Sequence, residues 1–481
     1  MSDDIVTTMQ ERHSALYSEP DVPPHKFQQF EQDLTELVND NPDHPALLFQ
    51  LGTYYMQQER TGAAVALLRA STQHGAVGAA PLLNLAAAYK SGHHDKQAEK
   101  FYKDALNEAQ KEGDKTTEGH ALHGIASLYI NRGEPDTAIY WCNRALAVDP
   151  DDRFARWNKG IGCLEKGNWT EGFKLYHEAG FVKSKFKAAE RKIKTYGGLP
   201  QWDGTKGKTV ICYGEQGVGD EIMFSSMVPD LMKDCKVIID CDPRLENLYR
   251  ESFPDAVAVY PTSSVNDPFE WIKDHPDASA TVPMGSLGYW YRKKNSDFPK
   301  TPFLTANMDQ RMGWREQLAP FKGLKVGISY WGGMKKTRQD QRSIALDRFD
   351  SILKTPGCDF FSMQYNSWAA DVASKIGGNL NVPIHHWGDT INDWDSMAAF
   401  VSELDLIITV NTSLHHLCGA LGVEQWCLTP KMCAWRYGVS GDSPFYGNCT
   451  MFRQKKPDDW NRVLRDVELE LRARANHEVA A

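Results

Sequence analysis

A 34-residue register in the first third of the chain restricts its fold more than any other feature. Copies of the unit start near Pro45, Ala79, Gly119 and Arg153. Position eight is Gly52, Ala86, Ala126 and Gly160; position eleven is Tyr55, Tyr89, Tyr129 and Cys163; position twenty is Ala64, Ala98, Ala138 and Gly172. Small residues at eight and twenty let two helices cross closely, and the aromatic at eleven fills the gap to the next pair. An insertion around Gln110 to Lys115 separates the second and third copies, and Pro150 follows Ala145 where a repeat should end. Units of this length stack into a superhelix with a concave face.

The pattern resembles the tetratricopeptide repeat, and the array is expected over residues 25–195. Binding of an extended peptide or a partner protein is the expected use, with a dimerisation or spacer module as the alternative. Residues 25–39, HKFQQFEQDLTELVN, read as an amphipathic helix that caps the array. Lys183, Lys185, Lys187, Arg191, Lys192 and Lys194 make the exit segment basic. That segment reads as a solvated helix face, with a phosphate or partner contact as the alternative.

At 481 residues the chain has room for two or three domains. Its net charge of -9 argues against broad binding to nucleic acid or anionic membrane, and leaves room for a local basic pocket. The first residues, MSDDIVTTMQERHS, do not read as a leader, and no run of about 18 apolar residues occurs, so a cytoplasmic location is expected. Ten cysteines without a C-x-x-C pair read as reduced, buried thiols. His415, His416 and Cys418 fall partly on different faces of one helix, and no metal site is expected there.

After residue 200 the pattern changes to alternating strands and helices. TVICY, KVIIDC and AVAVY fall in one series to about 310; KVGISYW, FFSMQY, VPIHHW, LDLIITV and QWCLT fall in a second from Leu324. This spacing implies two α/β domains, 200–318 and 319–475, with parallel sheets covered on both sides. Ligands of such sheets bind beyond the carboxyl ends of the strands, here in a cleft between the two halves.

Three polar segments fall at those ends. In GEQGVGDE, the glycines Gly214, Gly217 and Gly219 are expected to take positive φ and let a ligand approach. Asp220 and Glu221 then fall in the first helical turn, where the macrodipole favours the ionised form and a carboxylate can serve as a base. Neither a Walker A loop nor a complete G-x-G-x-x-G is present, and a turn without chemistry is the alternative. Asn411, Thr412 and Ser413 open a helix whose N–H groups and capping hydroxyls would suit a diphosphate, unless it is an ordinary capped helix. Lys335, Lys336, Arg338 and Arg342 follow the pair Gly332-Gly333, in a loop that could close over the same phosphates or be a charged surface loop.

The segments LPQWDG, EQGVGDE, VGISYWGG, RSI, SMQY, DWDSMAA, LDLIITVNTSLHHLCGALG, AWRYG, SPFY and MFRQ occur in this order. In content and order they resemble bacterial tetratricopeptide-repeat glycosyltransferases, whose catalytic part is similar to the lipopolysaccharide heptosyltransferases. The resemblance covers residues 40–475. It implies an α plus α/β chain: an N-terminal tetratricopeptide-repeat α-solenoid, then a GT-B region of two Rossmann-like domains, the first on the acceptor side and the second on the donor side. Asp220 matches the family's general base, with Glu221 in reserve and Glu215 bracing the loop. Thr412, Ser413 and His416 match the donor-diphosphate segment, Trp435 and Arg436 a pair near the nucleotide, and Gln364 a strand-ending glutamine in the same cleft. Gly217, Gly219, Gly332, Gly333, Lys335, Lys336 and Arg342 complete the expected donor site. Asn411 stands where the family usually has Asp, and Ala434 and Tyr437 replace a further acidic or aromatic residue; removing a carboxylate beside a diphosphate favours anion binding.

The activity this implies is inverting, metal-independent transfer from a nucleotide-diphosphate sugar, acting as co-substrate without a further cofactor. The acceptor would be a hydroxyl, expected on Ser or Thr of a protein held by the array. A lipid-linked glycan acceptor is one alternative, and a noncatalytic scaffold with a degenerate sugar-nucleotide domain is another.

Overall fold

A computed structural model describes residues 3–18, 22–179, 194–262, 267–333, 338–387 and 393–480. The chain forms two compact units, one made by residues up to Gly162 and one that takes in the helix Trp169–Ala179 and the described residues from Lys194 on.

In the first unit, helices Asp3–Ser18 and Pro24–Asp40 precede the pairs Pro45–Gln57 with Thr61–Gln73, Ala79–Ser91 with Asp95–Glu112, and Lys115–Asn131 with Pro135–Val148. The small positions of the repeat are crossing points. A Cβ on Gly52 would lie 2.8 Å from Leu68 Cγ of the paired helix, and Ala64, Ala86, Ala98, Ala126 and Ala138 are all buried. At position eleven, Tyr89 stacks on Phe101 with ring centroids 5.5 Å apart, and the Arg60 guanidinium covers Tyr55 at 3.9 Å. Helix Pro24–Asp40 buries Phe30, Leu34 and Val38, the amphipathic stripe expected, but it is not the end of the array, because helix Asp3–Ser18 packs against it through His13 on Phe30 and Arg12 on Asp33. The insertion is absorbed by helix. Asp95–Glu112 is lengthened and ends on left-handed Gly113, and Asp114 then caps Lys115–Asn131 by accepting from the Thr116 and Thr117 N–H groups.

Of the basic exit segment, Lys183, Lys185, Lys187, Arg191 and Lys192 lie outside the described residues. Lys194 departs from the expected solvated face. It is buried, and its ammonium pairs with Asp240 at 3.0 Å. Asp240 also accepts from the Tyr196 hydroxyl and the Thr262 N–H.

The second unit holds two parallel sheets, so the chain is a mixed α and α/β protein. The first comprises β1 (Thr209–Tyr213), β2 (Lys236–Cys241), β3 (Ala258–Pro261) and β4 (Ala278–Pro283), in the order β3-β2-β1-β4. The second comprises β5 (Leu324–Ser329), β6 (Cys358–Ser362), β7 (Ile384–His385), β8 (Leu406–Val410), β9 (Gln425–Thr429) and β10 (Cys449–Arg453), in the order β10-β9-β8-β5-β6-β7. Both β1 and β8 are buried along their whole length, as strands covered on two faces must be. Strand order reverses beside β1 in one sheet and between β5 and β8 in the other. Loops leaving such switch points diverge and open a crevice, and the three polar segments singled out by sequence leave β1, β5 and β8.

Three details differ from the sequence pattern. The segment IMFSSMVPDLM is two helices, Val218–Ser225 and Val228–Asp234, broken ahead of Pro229. VPIHHW contributes only the two-residue β7. Strands β4 and β10 complete the two sheets without having been anticipated. Arg311 and Arg315 on helix Met308–Leu318 both pair with Glu403, at 2.8 and 2.9 Å, and Trp314 of the same helix packs on Trp387 and Phe400.

Candidate functional site

The turn after β1 does not use its glycines in the expected way. Gly214, Gly217 and Gly219 all avoid positive φ, and Gly217 has φ -78°. Two of them are required instead by close contact inside the protein. The Glu221 carboxyl occupies the place a Cβ on Gly214 would need, and a Cβ on Gly219 would fall 3.0 Å from Ser413 Oγ and 3.1 Å from His416 Cδ2. Helix Val218–Ser225 of the first half thereby packs directly on helix Ser413–Leu421 of the second.

This contact brings Asp220 up to the second half. Asp220, on the first turn of its helix, forms an ion pair with Arg436 from the turn Trp435–Tyr437, each side chain one-fifth exposed. Burial opposes the Arg436 charge, but the fields of Asp220 and Tyr437 outweigh it and hold its pKa above the ordinary value. Arg342 joins the same cluster. Its Nη1 donates to the Asn411 carbonyl at 2.9 Å, and its stem packs on Gly332, where a Cβ would lie 2.7 Å from Arg342 Cγ. Burial lowers the Arg342 pKa, with the Arg436 charge adding to the effect and Tyr437 opposing it. The Gly332-Gly333 pair is fastened by Gln339, which donates to the Gly332 carbonyl at 2.7 Å, and by Ser343, which accepts from the Gly332 N–H at 2.9 Å. Lys335 and Lys336 lie outside the described residues.

After β8 the polar side chains turn inward. Asn411 Oδ1 accepts from Cys427 Sγ and Thr429 Oγ1, both at 3.2 Å. The position needs an acceptor, which an amide supplies without a buried charge. The Thr412 hydroxyl does not cap the helix it precedes; it lies 3.4 Å from the Thr409 hydroxyl. The N–H groups of the first turn are therefore left without a side-chain cap at the positive end of a nine-residue helix.

The remaining expected residues serve as supports. His416 is hydrogen-bonded to Tyr446 at 3.0 Å and Tyr437 at 3.3 Å, and burial drives its pKa well down, so it is a neutral spacer under the Gly219 contact. Its neighbour His415 bonds Gln425 at 2.9 Å. Among the described residues no group of three His, Cys, Asp or Glu could hold a metal ion. Trp435 is buried among Phe173, Tyr176, Phe224 and Phe445. Gln364 accepts from Ser329 Oγ and from the N–H groups of Tyr330 and Trp331, at 3.0–3.1 Å, and so brackets the loop leaving β5. Glu221 accepts from the Asp242 N–H at 3.0 Å, and burial pushes its pKa up to about 8. Glu215 accepts from the Gly285 N–H at 3.2 Å and braces the turn, as the sequence suggests.

Two cleft residues were missed by sequence reasoning. Tyr365, directly after Gln364, is 61% exposed. Arg244, at the carboxyl end of β2, is held by Asp242 through two bonds of 2.9 Å. The Tyr365 hydroxyl is near enough to influence both Arg244 and Arg342. The rule that ligands gather at strand ends could have found both.

No family model matches the chain. It is 26% identical over 375 residues to Protein FlbA of Caulobacter vibrioides, an alignment that takes in 73% of this chain and 61% of that protein. The chain thus spans about three-fifths of the length of the curated relative it matches. Among solved structures it is similar to a family 9 glycosyl transferase from Veillonella parvula, at 10% identity and a TM-score of 0.42 over 56% of this chain and 96% of that one. It is also similar to a variant of the O-GlcNAc transferase of Thermobaculum terrenum, at 12% identity and a TM-score of 0.32 over 98% of this chain and 90% of that one.

Proposed function

We propose that the second unit is a glycosyltransferase that moves a sugar from a nucleotide-diphosphate sugar to a hydroxyl beside Asp220, with inversion and without a metal ion. The observation that carries this reading is the meeting of Asp220, Arg436, Arg342 and the uncapped start of helix Ser413–Leu421 at the carboxyl ends of two parallel sheets. A carboxylate from one half faces two guanidinium groups and a helix N-terminus from the other, which suits a base opposite an anionic leaving group.

In the proposed reaction the donor diphosphate lies against the first turn of helix Ser413–Leu421 and Arg342, and draws Arg436 away from Asp220. The freed carboxylate takes the proton of the acceptor hydroxyl as its oxygen bonds to the anomeric carbon. The bond from that carbon to the diphosphate oxygen breaks, and the electron pair leaves with the diphosphate, whose charge the two guanidinium groups meet. Closure of the halves would exclude water from the reacting carbon.

The acceptor we propose is Ser or Thr of a polypeptide selected by the helical repeats, in the cytoplasm. Among the described residues no helix is long and apolar enough to cross a membrane. Asn411 stands where a carboxylate was expected, and its place as an acceptor for Thr429 gives the amide a structural reason to be there.

The test is calorimetric titration of the full chain with a panel of nucleotide-diphosphate sugars, with Asp220→Asn in parallel. Selective binding of one donor, slow release of its nucleotide by the wild type, and binding without release by the variant are the expected results. A folded protein that binds none of them would overturn the transferase reading in favour of the scaffold.

A further inference from the structure

Asp220 and Arg436 reach each other from loops of different sheets, so their pairing depends on whatever holds the two loops in register. One side chain touches both. Tyr176 lies on helix Trp169–Ala179, which carries position twenty of the fourth repeat copy, Gly172, yet belongs to the second unit. That helix is anchored there by Trp169 Nε1 donating to Asn295 Oδ1 at 2.6 Å, by Thr170 Oγ1 donating to the Lys293 carbonyl at 2.9 Å, and by Phe173 against Gly288.

From this anchored helix the Tyr176 side chain, 1% exposed, reaches the segments that carry both partners of the ion pair. Its hydroxyl accepts from the Gln216 side-chain amide, in the turn that carries Asp220. Its ring lies 5.8 Å from Phe224, one helical turn beyond Asp220, and 6.3 Å from Trp435, the neighbour of Arg436. The turn needs such a hold, because Gly217 opens its helix without a side-chain cap. Glu215 ties one side of the turn to Gly285, and Gln216 ties the other to Tyr176.

We infer that Tyr176 is a positioning residue that sets the register of Asp220 against Arg436, so that the final helix of the repeat register is a working part of the cleft. The kinetic side of this inference rests on the transferase reading; the geometric side does not.

Tyr176→Phe in the full chain keeps the ring and removes the hydroxyl. The expected result is a fall in kcat on the order of 10- to 100-fold, the cost of a misplaced reacting group, with the donor KM changed by less than about threefold and the acid limb of the kcat–pH profile displaced. Gln216→Met removes the other end of the same bond and should reproduce the loss. An unchanged kcat and pH profile in both variants would overturn the inference. A readout free of turnover is a double-mutant cycle on Tm between Tyr176→Phe and Asp220→Asn, where the losses should fall short of additive. Additive losses would overturn the inference even if the wild type turned over no donor, an outcome that by itself would remove the transferase reading and not the positioning one.

Discussion

At the ends of β1 and β8 the chain makes the same manoeuvre: a wholly buried strand, a tight polar corner, and a helix that starts without a side-chain cap. The two corners then use their side chains in opposite ways. After β1, Asp220 is turned out to meet a partner from the other half. After β8, Asn411 is turned to Thr429, Thr412 lies by Thr409, and His416 is enclosed by two tyrosines. A corner that presents a charge must extend a side chain, whereas one that presents backbone N–H groups must keep its side chains out of their way.

If that contrast is right, the largest effect should come from the corner whose side chain acts. Asp220→Asn should reduce transfer by about 10²- to 10⁴-fold, the usual worth of a positioned base, with donor affinity by calorimetry little changed. Full activity in the variant would break the contrast. Arg342→Ala, on the N–H-presenting side, should weaken donor binding by about 10- to 100-fold; an unaltered Kd would move the diphosphate away from the β8 corner. Gly219→Ala tests the contact between the corners, because its Cβ must displace Ser413 and His416. It should cost about 1–3 kcal/mol, read as a lowered Tm, and an undisturbed Tm would show that the two helices part easily.

The smallest effect on turnover is expected at Glu221, which sharpens the division of labour within one corner. Glu221→Gln should leave turnover within about threefold and change the pH dependence of stability. Folded Glu221 keeps its proton up to about pH 8, against a usual 4.5. Its stabilising share is therefore complete below 4.5 and is lost as pH rises through about 8. The variant should lose less Tm than the wild type between pH 6 and 9. Equal losses would mean that Glu221 titrates as an ordinary surface group.

Much of the scaffold was legible because its signals are local. Gly52, Ala86 and Ala98 mark helix crossings by size alone, and TVICY and LDLIITV are apolar runs that only a doubly covered strand can bury. Strands β4 and β10 were not legible: ASATVP mixes small and polar residues, and CTMFR alternates weakly, so partners rather than lettering make them strands. The cleft was legible as a set of segments and not as directions. Sequence cannot show that Trp435 is surrounded by Phe173 and Tyr176, nor that Gly219 answers to Ser413 rather than to a ligand, since each depends on a contact made far along the chain. The repeat register likewise assigns helix Trp169–Ala179 by its small residue, while its aromatic face packs with the sheets.

The pair between Asp220 and Arg436 joins residues 216 positions apart. At about 5–20 residues per second of synthesis, the ribosome needs on the order of 10–40 s to deliver the second partner after the first. For most of that interval the β1 corner is complete in sequence but has neither helix Ser413–Leu421 to pack on nor Arg436 to face. A nascent chain therefore carries only half of the proposed cleft, which is completed late, as the last strands of the second sheet are made.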